Sequence, residues 1–160
     1  MAEYKEEQKL EERILQIKRV TKKITGGSRV TFTALVAVGD RKGNVGVGMG
    51  KGQEVPQAIR KGFTKAKKKM ISIPVYNGTI PHEVLLKYKA GLIYLKPAPQ
   101  GTGLKVGSVI RTLFDLAGVY NVSGKIIKSR NQVVNTYLVL KALESLKHRS
   151  LPVTKETKKA

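Results

Sequence analysis

The chain has 160 residues, no cysteine and a formal net charge of +20, from 31 lysines and arginines against 11 aspartates and glutamates. The absence of cysteine excludes disulfides, thiolate metal sites and cysteine nucleophiles, and a hydrophobic share of 41% is too high for a wholly disordered chain. So large a positive charge indicates a nucleic-acid or anionic membrane partner, but no apolar run approaches the ~20 residues that a membrane-spanning helix needs, so we expect no membrane partner.

The chain begins with an acidic segment, residues 1–12, which contains five of the 11 acidic residues. Its apolar content is too low for packing, so we predict a loose tail. The segment lacks the charged-then-apolar pattern of a secretory signal, and its acidity argues against an organelle transit peptide. We therefore expect a cytoplasmic protein.

Residues 13–72 predict one small α+β unit with the order strand, strand, strand, helix. Arg13–Ile24 is rich in β-branched residues and lysine, which is typical of a strand with a basic outer face. Val30–Val38 alternates with period two, and turn residues at Gly39–Gly43 lead into a second alternating segment, Val45–Gly50. Glycines occupy one face of that second segment, so we expect another element or a ligand to approach it closely.

A basic helix is predicted from Pro56 onward, because proline fits the first helical turn, where its missing N–H group costs nothing. Apolar residues recur at helical spacing and form one stripe: Val55, Ile59, Phe63, Ala66 and Met70. The opposite arc carries cations and no acid: Arg60, Lys61, Lys65, Lys68 and Lys69. A solvated surface helix is the simpler interpretation. However, solvated helix faces usually carry charges of both signs, so a face with cations alone favours an anionic partner.

A glycine turn at Thr25–Arg29 joins the first two strands. Gly26-Gly27 either serves turn geometry alone or gives a flexible backbone that lies against phosphates, and the sequence leaves both interpretations open. Aromatic residues are sparse, which favours duplex or folded RNA over single strands that stack on aromatic platforms. The candidate RNA contacts are Arg19, Lys22, Lys23, Gly26, Gly27, Arg29, Arg41, Lys42, Lys51, Arg60, Lys61, Lys65, Lys68 and Lys69.

Residues 73–147 predict a second α+β unit, after a boundary near residues 72–77 that Pro74 and Gly78 mark. Gly118 should close a helix as its left-handed cap, and residues 148–160 form a basic tail without hydrophobic period. The predicted elements are strands at Ile80–Lys89 and Gly91–Lys96, a helix at Ser108–Ala117, a strand at Tyr120–Lys128 broken at Ser123-Gly124, and a helix at Asn131–Lys147 with Val134, Tyr137, Leu138, Ala142 and Leu146 inward.

Residues that could carry catalysis are few. Gly48–Gly52 and Gly101–Gly107 superficially resemble phosphate-binding loops, but neither has the spacing of a P-loop or a dinucleotide fingerprint. Asp40 and Glu54 fit structural roles in a turn and at a helix start, and the carboxylates outside the acidic tail form no close pair. His82 stands far from the other histidine, so we expect no metal site, no cofactor, no small-molecule substrate and no enzyme.

Several segments together resemble the universal ribosomal small-subunit protein five family. FTALVAVGDRKGNVGVGMGKGQEVPQAIRKGFTKAKKKM resembles its N-terminal half, and NGTIPHEV, LKPAPQGTG and DLAGVYNV resemble its C-terminal half in order and spacing. The resemblance implies an α+β fold of two small domains. These are an N-terminal β-β-β-α domain of the dsRBD-like type without the usual first helix, and a C-terminal β-α-β domain with a left-handed crossover. Gln132 and Lys105-Val106 depart from the family's usual residues.

The resemblance also implies a function. It implies a structural constituent of the small ribosomal subunit that binds small-subunit rRNA near the site where messenger RNA enters, and that supports decoding accuracy. The implied protein partners are small-subunit proteins four and eight, with the edge around Gly103 and Arg111 meeting protein four. The alternatives are an organellar ribosome as the location, a free-standing duplex-RNA-binding regulator, and a small kinase-like enzyme, against which the missing catalytic carboxylates argue.

Overall fold

The computed structural model describes residues 10–147, which form three helices and eight strands. The predicted tails therefore lie mostly outside the described residues. In chain order the elements are β1 (Glu11–Ile24), β2 (Gly27–Gly39), β3 (Asn44–Gly52), α1 (Val55–Lys68), β4 (Met70–Ser72), β5 (Val84–Tyr88), β6 (Gly91–Pro97), β7 (Leu104–Lys105), α2 (Ser108–Ala117), β8 (Val122–Lys128) and α3 (Gln132–Glu144).

The first sheet is antiparallel throughout, with the order β1-β2-β3-β4. The predicted order of three strands and a helix is confirmed, but β4 was not predicted, because three residues are too few to show a period. The ladder between β1 and β2 runs from Glu11 opposite Gly39 to Ile24 opposite Gly27. The glycine turn is therefore much shorter than the predicted Thr25–Arg29, and β1 begins two residues before the predicted start.

The glycine face of β3 is covered by α1. Gly46, Gly48 and Gly50 lie directly under the helix backbone, so that a Cβ atom added at any of them would overlap it. This confirms the expected close approach. The helix residues that face the glycines are small ones at a spacing of four, called here the small-residue face: Ala58, Gly62 and Ala66.

The buried side of α1 differs from the predicted apolar stripe. The small-residue face is buried, whereas Ile59 and Phe63 are half-buried beside it and pack against Phe32, Ala34 and Val36 of β2. The glycines of β3 let the helix backbone descend onto the sheet, so small residues occupy the contact and larger ones flank it. Because the helix ends at Lys68, Met70 belongs to β4 and not to the stripe.

The second sheet has the order β5-β6-β8-β7, in which β7 and β8 are parallel and α2 connects them. The expected β-α-β arrangement is thus present. β5 is shorter than predicted, because it begins only at Val84. Ile80, the predicted start of the strand, is buried in the loop that precedes it. The break predicted at Ser123-Gly124 is wrong: β8 is continuous, and Gly124 instead lets the neighbouring strand approach, with Leu95 Cδ2 2.6 Å from the position of an added Cβ.

α3 is buried over a wider arc than predicted. Leu138 and Ala142 are inward as expected, but Val134 and Tyr137 are only half-buried, and Leu146 is buried beyond the helix end. The additional buried residues are Asn135, Thr136, Val139 and Leu143. Because α3 packs against both sheets and α2, its buried arc exceeds the single stripe that a one-sided surface helix shows.

The two units share one hydrophobic core and a hydrogen-bonded junction. Leu35 and Val47 of the first sheet belong to the same buried cluster as residues of α2 and α3. In the β2–β3 turn, the N–H groups of Arg41 and Gly43 donate to the carbonyls of Leu116 and Ala117, each at 2.9 Å. These carbonyls end a helix and have no intrahelical donor, so the turn caps α2.

Asp40 organises that same turn. Its carboxylate accepts hydrogen bonds from the N–H of Lys42 at 2.7 Å, the N–H of Asn44 at 3.0 Å and Asn44 Nδ2 at 2.6 Å. Burial by itself raises the pKa of Asp40, but these hydrogen bonds together outweigh it and hold the pKa below its ordinary value. The structural role predicted for Asp40 is therefore confirmed.

A carboxyl whose pKa is lowered by folding stabilises the protein above its unfolded-state pKa of about 4, and this contribution disappears as the pH falls through the lower folded-state pKa. We expect Asp40→Asn to cost about 1 kcal/mol of unfolding free energy at pH 7, since the turn is partly exposed and charge-assisted hydrogen bonds are lost. The difference from the parent protein should shrink as the pH falls below about 4. Denaturant unfolding at a series of pH values measures both; a difference that is independent of pH would contradict the prediction.

Candidate nucleic-acid interface

A basic groove lies where the β1–β2 hairpin, the end of β3 and the start of α1 meet. It encloses about 730 Å³. Its lining residues are Val20, Thr21, Lys22, Arg29, Thr31, Lys51, Gly52, Gln53, Gln57 and Lys61. The groove therefore draws cations from three strands and one helix, which no single segment of the sequence contains.

A second, shallower groove of about 440 Å³ continues along α1. It shares Lys51 and Lys61 with the first groove, so the two form one continuous surface. From here on, "the basic groove" means both parts together. The cations that line it are Lys22, Arg29, Lys51, Arg60, Lys61, Lys65 and Lys68. Its lining contains no carboxylate and no aromatic ring, so it suits a phosphate backbone better than stacked bases.

Among the described residues, the cations of the basic groove have no ion-pair partner. Lys22 lies directly opposite Arg29 in the β1–β2 ladder, and like charges in that position repel. Lys65 Nζ donates to the carbonyl of Met49 at 3.2 Å, which fixes it over β3. Within residues 10–147 none of the groove cations forms an ion pair. These cations are therefore free to pair with an external anion.

Half of the predicted RNA contacts lie outside this groove. Arg19 and Lys23 are on the other face of the β1–β2 ribbon from Lys22, because side chains alternate along a strand. Arg41 and Lys42 lie in the β2–β3 turn, at the end of the sheet opposite the β1–β2 turn, and belong to neither lining. The others are Lys69, which follows the last residue of α1, and Gly26 and Gly27 at the hairpin tip, where nothing approaches them.

Arg41 is engaged within the protein. Its Nε and Nη2 donate to the two carboxylate oxygens of Glu11 at 2.7 and 2.8 Å, a bidentate pair. The hydrogen bond from Arg41 lowers the pKa of Glu11. Glu12 pairs in turn with Lys67 at 3.0 Å. The last residues of the predicted acidic tail thus pair with three cations outside the basic groove, Arg41, Lys67 and, at 4.0 Å, Arg13, and with none of the groove cations.

Neutral polar residues of the groove escaped the sequence analysis because they carry no charge: Thr21, Thr31, Gln53, Gln57 and Thr64. Thr31, Gln53 and Gln57 contribute hydroxyl and amide groups to the lining. Gln53 precedes the N-cap of α1 and Gln57 lies in its first turn, so no helical spacing links them in the sequence. Neutral hydrogen-bonding side chains of this kind contact RNA sugars and phosphates.

The predicted protein-interface residues lie at one edge of the second unit. Gly103 has a positive φ of 73°, and its N–H donates to Asn121 Oδ1 at 3.2 Å. Arg111 is exposed as predicted, but its Nη2 also donates to the carbonyl of Leu104 at 3.1 Å. This hydrogen bond ties α2 to β7.

Comparison with known families agrees with this architecture. Residues 10–74 match the family model described as ribosomal protein S5, N-terminal domain, and residues 86–157 match that described as ribosomal protein S5, C-terminal domain. These matches define the class: a structural, non-enzymatic protein of a ribonucleoprotein particle. The chain belongs to the ribosomal protein S5 family. It is thus a small-subunit protein located in the ribosome, where it associates with ribosomal RNA and other small-subunit proteins.

Two features of the described residues concern membranes and metals. In the part of the chain that the structure describes, no helix is long and apolar enough to cross a membrane. Residues 10–147 also contain no cluster of three histidine, aspartate or glutamate side chains that could hold a metal ion.

Proposed function

We propose that this protein binds small-subunit rRNA through the basic groove. The observation that carries the proposal is the convergence of seven lysines and arginines from β1, β2, β3 and α1 on a lining without a carboxylate. Such a one-sign surface attracts the RNA backbone, and its lack of aromatic side chains favours readout of shape and phosphate in folded RNA. Of the fourteen predicted RNA contacts, we propose the groove cations as the principal ones.

We further propose that the second unit, residues 73–147, holds neighbouring small-subunit proteins while the first, residues 13–72, holds RNA. Family resemblance supports proteins four and eight as the neighbours, a position where messenger RNA enters, and a role in decoding accuracy. The edge with Gly103 and Arg111 is then the contact with protein four. An exposed arginine whose one nitrogen is already fixed presents its other donors in a defined direction, which suits a bidentate carboxylate partner.

Lysine acetylation of the protein, free and within small subunits, tests the RNA proposal. A lysine that contacts phosphate loses access to the reagent, so Lys51 and Lys61 should be acetylated at least about tenfold more slowly in the subunit, as expected for an ammonium engaged in a charge-assisted hydrogen bond. Lys42 and Lys69 serve as matched controls, since both are exposed and lie outside the groove. Equal acetylation of groove and control lysines would contradict the proposal.

Arg111→Leu tests the decoding role. The variant should fold normally, because it loses only one exposed hydrogen bond, to Leu104. A partly exposed interfacial pair contributes about 0.7 kcal/mol, so its loss should raise stop-codon readthrough roughly threefold by loosening the contact with protein four. A readthrough reporter and a melting curve of the isolated variant are the measurements. Arg130→Leu, at an exposed arginine before α3, is the control; equal readthrough in the two variants would refute the role.

A further inference from the structure

The second sheet has one covered and one open face. On the covered face, Ile93 and Leu95 of β6 are fully buried in the core with residues of α2 and α3. The neighbouring positions point the other way, and there Leu85, Tyr94 and Lys125 stand directly opposite one another across β5, β6 and β8. The side chains of this outer row are exposed or only half-buried.

The open face is apolar where a solvated sheet face is normally polar. Antiparallel sheets with one wet face alternate apolar inward and polar outward residues. Here Leu85 and Ile127 are 65% and 55% exposed, more than any other large apolar side chain among residues 10–147. The shift of register in β8 sets Ile127 beside Leu92 of β6. The apolar centre is defined by four residues: Leu85, Leu92, Tyr94 and Ile127.

Lysines surround this apolar centre. Lys87 stands opposite Leu92, Lys96 opposite Ser123, and Lys128 opposite Leu92 on the other side. With Lys125 they form a cationic rim. The carboxylate that lies next to the centre is that of Glu83, which accepts a hydrogen bond from the Tyr94 hydroxyl at 3.0 Å. An apolar centre with a charged rim is the anatomy of a protein–protein interface.

We propose that the open face of the second sheet is a docking surface for a protein partner that presents apolar side chains flanked by aspartates or glutamates. The lysine rim requires an anionic partner, and RNA would satisfy that requirement alone. However, base-paired RNA presents mainly its sugar–phosphate backbone, which cannot bury three aliphatic side chains, and Glu83 would repel phosphates from Tyr94. The proposal rests on the proposed function in one respect, that the second unit holds neighbouring proteins, and it adds the face and the partner chemistry; it does not depend on the basic groove.

Photo-crosslinking within assembled small subunits tests the proposal. p-Benzoylphenylalanine at position 85 should give adducts that survive ribonuclease and map to a peptide with carboxylates beside apolar residues. The same reagent at position 20, in the lining of the basic groove, should give RNA adducts. Only RNA adducts, or none, at position 85 would overturn the docking surface, whereas absence of RNA adducts at position 20 would count against the RNA proposal separately.

Competition for incorporation gives a second measurement. Leu85→Asp should be outcompeted by the parent protein at least about tenfold during subunit assembly, the effect expected for the centre of an interface. Tyr120→Asp is the control, because Tyr120 is 54% exposed but lies outside the second sheet. Melting curves should show that both variants fold, since neither side chain is buried. Equal incorporation of the two variants would refute the proposal.

Discussion

Replacing Lys51, Lys61 and Lys68 together by glutamine is expected to reduce the slope of log affinity against log salt for small-subunit rRNA by about 2 to 3. Each phosphate that a lysine neutralises releases condensed counterions, which contributes about 0.7 to 0.9 to the slope. The three lysines line the basic groove, and within the described residues none of them has an anionic partner. Titrations at several salt concentrations measure the slope directly.

The matched control removes three cations that the sequence pattern also suggested but that lie outside the groove: Lys23, Lys42 and Lys69. Their replacement by glutamine changes the net charge equally, so a general electrostatic attraction would lower the affinity of both variants to the same extent. We expect the control to change the slope by less than about 1. Equal slopes for the two triple variants would show that the groove is a solvated surface without a special role.

Gly50→Ala is expected to lower the free energy of unfolding by about 3 kcal/mol or more, although it adds a single methyl group. The new Cβ would overlap the carbonyl oxygen of Ala58 and lie 2.5 Å from the N atom of Gly62. Both are backbone atoms of α1, so no side-chain rotation relieves the overlap, and the helix must move away from the sheet. Denaturant unfolding followed by circular dichroism measures the loss.

Gly107→Ser is the control for this substitution. Gly107 precedes α2 with extended backbone angles, and nothing lies within 4 Å of an added Cβ. Serine is a good residue at the start of a helix, so stability should be unchanged or slightly higher. A loss of less than about 1 kcal/mol for Gly50→Ala would mean that the helix adjusts its position easily and that the glycine face of β3 is not required for packing.

Local patterns in the sequence predicted most of the elements correctly. The alternation in Val30–Val38 predicted β2, the glycines at every second position predicted close packing on β3, and Gly118 predicted the end of α2. These features depend on neighbours two to four residues apart, which a sequence displays directly. The family motifs also lie in both halves of the chain, so the resemblance to the small-subunit protein follows from the sequence without knowledge of the fold.

The same local patterns misplaced the buried side of α1 and the extent of the hairpin turn. Helical periodicity marks Ile59 and Phe63 as the apolar stripe, but the depth of burial depends on what lies opposite. Since the glycines of β3 bring the helix backbone onto the sheet, the small-residue face occupies the contact. The β1–β2 ladder likewise extends to Ile24, which pairs with Gly27 next to the turn. The two glycines in the sequence do not show how close to the turn this pairing continues.

Composition and periodicity by themselves determined that this is a basic, cysteine-free α+β protein whose first helix carries cations on one side. Only the tertiary structure decided which cations act together. Lys22 and Lys61 are far apart in sequence and meet because strand register and helix packing bring four elements to one groove, whereas Arg41 is neutralised by Glu11, thirty residues earlier in the chain. Such proximities arise from long-range pairing and packing, so the electrostatic identity of the surface is fixed only when the chain is folded.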